Sequence, residues 1–109
     1  MAMSARSAEA LADLVTAIRA MGRTAVPLVW DVADTAQAEP QLTEAKRQLG
    51  GLDVVVNNAG VIRGNPEHPI GSAEALWDYT MDVNLKGLYF ACQAAGAIMQ
   101  AQKHGVIVN

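Results

Sequence analysis

The stretch Leu52–Val61, LDVVVNNAGV, passes from apolar residues straight into small and polar ones. Leu52 to Val56 has the length and β-branched content of a strand buried on both faces. Asn57, Asn58, Ala59 and Gly60 follow at once, with no bulk to pack. Two readings account for them. Asn and Gly are turn formers, so NNAG is a tight turn after the strand. Alternatively, Ala59 and Gly60 leave bare backbone for a flat ligand, and Asn57 and Asn58 can hydrogen-bond both to the backbone and to that ligand.

The flanking sequence puts this strand in a repeating pattern. Met1 to Ala5 reads as the tail of a strand. Leu11, Leu14, Val15, Ile18 and Met21 have helical spacing, with Ser7 as N-cap and Gly22 as stop, giving a helix over about residues 8–21. Ala25 to Trp30, AVPLVW, is a short strand ending at Asp31, and Pro27 assigns it to an edge or a strand start. Asp34 and Gln37 form a capping-box pattern ahead of a helix over about 35–49, whose first turns Pro40 should kink. After Leu52–Val56 comes a loop dense in Gly, Pro and Asn. It holds Arg63 and His68, which face either a substrate or solvent. Ser72 caps a long helix reaching Gln102, and Gly105 to Asn109 is a last apolar strand. Strands alternating with helices of this length give parallel strands and right-handed crossovers, an α/β sheet with helices on both faces.

Composition narrows the function classes. The chain has 109 residues, is 51% hydrophobic and carries a net charge of −3. That suits one domain with a modest core. With no lysine or arginine run, no nucleic-acid partner is expected. No apolar stretch is long enough to span a membrane. Glu9 and Asp13 argue against a transit peptide, so a cytoplasmic location is expected. Cys92 is the single cysteine. With the distant His68 and His104 it offers no metal site.

In open α/β sheets ligands bind beyond the carboxyl ends of the strands. Three polar groups fall there: Asp31-Val32, Asn57–Gly60 and Asn109. Asp31 either accepts a hydrogen bond from a bound base or caps its own loop. Asn84 falls on the expected buried stripe of the long helix, Trp77, Met81, Asn84, Leu88, Ala91, Ala95 and Ile98. A buried amide left unbonded costs about 1–3 kcal/mol. Asn84 therefore either ties down a loop or holds an active-site water, and Gly87 would permit a local kink.

DV after one strand, LDVVVNNAGV after the next helix, MDVNLKGLYF within the long helix and the closing HGVIVN occur in the order and at the distances of the short-chain dehydrogenase/reductase family, which this chain resembles along essentially its whole length. The resemblance implies a partial Rossmann-type doubly wound parallel sheet. It also implies a nicotinamide cofactor, NADP or NAD, and hydride transfer between that cofactor and a small-molecule alcohol or ketone. By position, Asp31 and Val32 would contact the adenine. Asn58, Ala59 and Gly60 would line the adenosine ribose and phosphate region, and Asn57 would brace the sheet. Asn84 resembles the asparagine of the family's catalytic tetrad, which binds a relay water through its effect on the helix backbone. Arg6, just after the first strand, resembles the arginine of NADP-preferring members, whose guanidinium grips a 2′-phosphate. The whole protein would be a homo-oligomer.

The departures are as informative. No glycine-rich turn for the pyrophosphate is present. Nor is there a Tyr-x-x-x-Lys pair: four residues beyond Tyr79 and Tyr89 stand Val83 and Gln93. The family's catalytic serine is also missing. Residues 1–109 thus read as the family's second to fifth strands, a partial NAD(P)-binding domain that would be inactive alone. The family's first strand lies between its second and fourth, so the sheet should be split here and marginally stable. The alternatives are a non-catalytic truncated relative acting as a binding module, and a flavodoxin-like receiver using Asp31 as phosphate acceptor.

Overall fold

The computed structural model describes residues 1–62 and 73–109. The Ser72 cap and the loop positions Arg63 and His68 lie outside the described residues. Strand β1 (Ala2–Ala5) leads to helix α1 (Ala8–Ala20), and β2 (Val26–Val29) leads to α2 (Ala38–Leu49). Strand β3 (Val54–Val56) is followed by α3 (Glu74–Met81), a π-helical turn (Asp82–Gly87), α4 (Leu88–Gln102) and β4 (Val106–Val108). The expected alternation of strands and helices is therefore present.

Local chemistry sets most of the boundaries. Ser7 caps α1, its Oγ accepting from the Ala10 N–H at 3.3 Å. Gly22, at φ +72°, lets the chain turn away after that helix. The expected capping box at Asp34 does not form, because the Asp34 side chain makes no cap hydrogen bond. Its carbonyl instead accepts from the Trp30 indole at 3.0 Å. Pro40 is accommodated by dividing the segment into a 3-10 turn (Thr35–Gln37) and α2. Proline then falls in the first turn of α2, where backbone N–H groups have no partner within the helix.

The strands form two separate parallel pairs. In one, Ala2 to Ala5 align with Val26 to Val29. In the other, Val54 to Val56 align with Val106 to Val108. Side chains of β1 alternate: Ala2 packs toward Leu42, Ala45, Ala95 and Met99 of α2 and α4, while Met3 and Ala5 pack toward Leu11, Val15 and Ile18 of α1. Helices therefore cover both faces of β1–β2. On β3–β4, Val55 and Ile107 join the α2–α4 core, but Val54, Val56, Val106 and Val108 stay 47–63% exposed. No described helix covers that second face, although valine runs of this kind suit burial on both.

Between the pairs lies a hollow of about 480 Å³, with Ala2 and Ser4 of β1 on one side and Val54 to Val56 on the other. The resemblance noted above would place a further strand here. The radius of gyration, 15.7 Å, exceeds the ~13 Å expected of a compact chain of this length. Both pairs share the α2–α4 core, but a sheet cut into pairs leaves strand edges unpaired, and two-stranded units are marginal in water. The isolated monomeric chain is expected to melt over a broad range by circular dichroism; a sharp cooperative thermal transition would contradict this.

Candidate functional site

All four strands end at the same side of the molecule, and polar residues gather there. Arg6 follows β1, Asp31 and Val32 lie just beyond β2, Asn57 to Gly60 follow β3, and Asn109 follows β4. A hollow of about 550 Å³ is lined by Arg6, Asp31, Val32, Asn58, Ala59 and Gly60. The six residues singled out from sequence as nucleotide contacts therefore share one cavity. Asn57 lines it as well and joins the ends of β3 and β4. Its N–H donates to the Val108 carbonyl at 2.8 Å, and its amide donates to Asn109 Oδ1 at 2.8 Å.

The geometry bears on the two readings of NNAG. Gly60 is not among the described glycines with positive φ, which are Gly22, Gly50 and Gly105. A Cβ at Gly60 would meet only Asn84 Oδ1, at an ordinary 3.7 Å. Neither backbone conformation nor internal packing calls for glycine here, and the open side of the residue is the hollow. The Asn58 amide makes no hydrogen bond among the described residues and is exposed. Asp31 does cap its own loop, Oδ1 accepting from the Ala33 N–H at 3.0 Å. Its second oxygen makes no hydrogen bond among the described residues.

Asn84 departs from the expected buried stripe. It is exposed, and the buried face of the long helix is Val83, Gly87, Ala91, Ala95 and Met99. Trp77, also expected on the buried stripe, is 63% exposed. The stripe moves because the π-helical turn is wider than an α-turn and rotates the residues before it. Asn84 nonetheless has its hydrogen bonds: Oδ1 accepts from the Val61 N–H at 2.8 Å and Nδ2 donates to the Val61 carbonyl at 2.7 Å. It therefore ties down the NNAG loop, one of its two expected roles.

Sequence reasoning missed three contributors. Gly87 is expected to permit a kink, but its main consequence is close approach. A Cβ there would lie 2.5 Å from the Val32 carbonyl oxygen and 2.9 Å from Val32 Cγ2. Glycine inside a helix is costly relative to alanine, and that cost was the available signal. Gln102 brackets the start of the NNAG strand, accepting from the Leu52 N–H and donating to the Leu52 carbonyl, both at 3.1 Å. Tyr79 lines the hollow and accepts from Arg6 Nη1 at 3.1 Å. Among the described residues no cluster of His, Cys, Asp or Glu is arranged to hold a metal. No described helix is long and apolar enough to cross a membrane.

Parallel strands, crossover helices and a hollow beyond the strands' carboxyl ends define a partial α/β fold of Rossmann type. The chain belongs to the short-chain dehydrogenase family, whose sequence model matches residues 1–109. It is similar to a 3-oxoacyl-[acyl-carrier-protein] reductase of Staphylococcus aureus, at 36% identity over 96% of this chain and 42% of the reductase. It is also similar to a D-threitol dehydrogenase of Mycolicibacterium smegmatis, at 35% identity over 98% of this chain and 39% of that protein. Among solved structures, a putative short-chain alcohol dehydrogenase of Sinorhizobium meliloti superimposes with a TM-score of 0.89 and 44% identity, covering 99% of this chain and 42% of that one. A gluconate 5-dehydrogenase of Burkholderia cenocepacia, in complex with NADP and tartrate, superimposes with a TM-score of 0.84 and 34% identity over 97% of this chain and 41% of that one. The chain thus spans about two fifths of the length of these relatives.

Replacing Gly87 with alanine should drive the helix and the Val32 backbone apart, because the atom that must move is a main-chain carbonyl. Gly87→Ala should speed limited proteolysis several-fold over the unmodified chain. Gly96→Ala, where the added Cβ meets nothing within 4 Å, should leave it unchanged or slow it. Equal rates for Gly87→Ala and the unmodified chain would contradict the close approach.

Proposed function

We propose that this chain is the nucleotide-binding portion of an NAD(P)-dependent short-chain oxidoreductase that interconverts a secondary alcohol and a ketone. The observation that carries the reading is the shared hollow of Arg6, Asp31, Val32 and Asn58 to Gly60 at the strands' carboxyl ends. These residues fit the adenosine half of a nicotinamide cofactor. The free Asp31 oxygen is an acceptor for the adenine amino group, and Val32 gives the ring an apolar wall. Ala59 and Gly60 admit the ribose against bare backbone. Arg6 favours NADP, because a guanidinium matches a phosphate with several N–H groups at once; NAD is the alternative. When bound, the cofactor supplies or accepts a hydride.

Asn84 serves the proton relay of the whole enzyme by holding the helix turn and the NNAG loop in place. The 109 residues contain no Tyr-x-x-x-Lys, so they lack the family's acid–base pair and would be inactive alone. The whole protein would be a cytoplasmic homo-oligomer. One observation favours a second reading, a non-catalytic binding module: Trp77, Leu85 and Tyr89 of the long helix are 55–63% exposed, an apolar surface suited to a partner helix.

The coding sequence on either side of residues 1–109 tests the first reading. A glycine-rich turn in frame before Met1, and a serine then Tyr-x-x-x-Lys in frame after Asn109, are expected. Start and stop signals immediately flanking the 109 codons, with no such motifs, would overturn it. Calorimetric titration with NADP then addresses the second reading. Silence at millimolar cofactor would mean that the chain binds none by itself and would count against the hollow as an adenosine site.

A further inference from the structure

Arg6 and Tyr79 are 73 positions apart in sequence. They meet at the hollow, Arg6 from the end of β1 and Tyr79 from α3. Arg6 is exposed, and among the described residues it has no carboxylate within ion-pair distance. Its side-chain hydrogen bond goes from Nη1 to the Tyr79 hydroxyl. The remaining guanidinium N–H groups make no hydrogen bond among the described residues.

An exposed arginine ordinarily samples many rotamers and must lose that freedom when it grips a ligand. Tyr79 is half-buried on a helix, and its short, stiff side chain presents a fixed acceptor. Bonding one Nη to that hydroxyl narrows the guanidinium's range and leaves its other donors for an anion. A neutral hydroxyl does this without cancelling the positive charge, as a carboxylate would.

We propose that Tyr79 is a positioning residue that holds Arg6 at the hollow for a phosphate on the nucleotide ribose, and so sets the preference for 2′-phosphorylated ligands. This rests on the reading of the hollow as an adenosine site. The anchor acts before the ligand arrives, so it shows in affinity for one phosphate and not in affinity for adenosine.

The test uses the 109-residue chain and two probes that differ only in the 2′-phosphate, adenosine 5′-monophosphate and adenosine 2′,5′-bisphosphate, titrated by calorimetry or ligand-observed NMR. The unmodified chain should prefer the bisphosphate about tenfold, as a charge-assisted phosphate contact implies. Tyr79→Phe should lower that preference at least about threefold while leaving monophosphate affinity unchanged. Arg6→Ala should abolish the preference, and adding Tyr79→Phe to Arg6→Ala should change nothing further, because the tyrosine acts through the arginine. Far-UV circular dichroism of each variant checks that helix content is kept. If Tyr79→Phe weakens both probes equally, or neither, the positioning role is overturned while the adenosine site stands. If neither probe binds the unmodified chain, the adenosine site fails and this proposal with it.

Discussion

The Asn84 carboxamide, bonded to both the N–H and the carbonyl of Val61, is the contact on which the candidate site depends. Val61 lies beyond β3, where no strand neighbour among the described residues satisfies its backbone. A side-chain amide has the same donor and acceptor as a peptide group, so Asn84 stands in for the missing neighbour. Gln102 does the same for Leu52 at the other end of β3. One long helical segment thus grips the LDVVVNNAGV stretch at both ends. Each bond contributes about 0.5–1.5 kcal/mol net, which matters for a two-stranded parallel pair with one face open.

The π-helical turn that carries Asn84 also carries Gly87, whose backbone nearly touches the Val32 carbonyl. The wide turn therefore fixes two walls of the hollow at once, the NNAG loop through Asn84 and the end of the β2 segment through Gly87. Lys86 and Asp82 close a 3.2 Å ion pair across the same turn. Both are well exposed, so that pair adds little. Packing of Gly87 and the Asn84 bracket hold the turn, and both tie it to the hollow at the strands' carboxyl ends.

Much of this was readable from the residues. The strands, the Ser7 cap and the Gly22 stop follow from local chemistry, and the six residues that share the hollow were singled out by family motifs. The split sheet followed from the family's strand order. What failed was long-range or collective. A helical stripe counted at even α-helical steps placed Asn84 and Trp77 inside, because no periodicity announces a π-turn. The Asp34 capping pattern is a local exception: it is present in sequence, yet the side chain makes no cap hydrogen bond. The Arg6–Tyr79 and Gln102–Leu52 contacts join residues 73 and 50 positions apart, and nothing local marks either pair.

Amide hydrogen exchange at Val61 tests the bracket most directly. In the unmodified chain the Val61 N–H should exchange several-fold more slowly than its unstructured rate. In Asn84→Ala that protection should vanish, while the Leu52 N–H, held by Gln102, keeps its own. A Val61 amide that exchanges at the unstructured rate from the start, or that keeps its protection without the Asn84 side chain, would contradict the account.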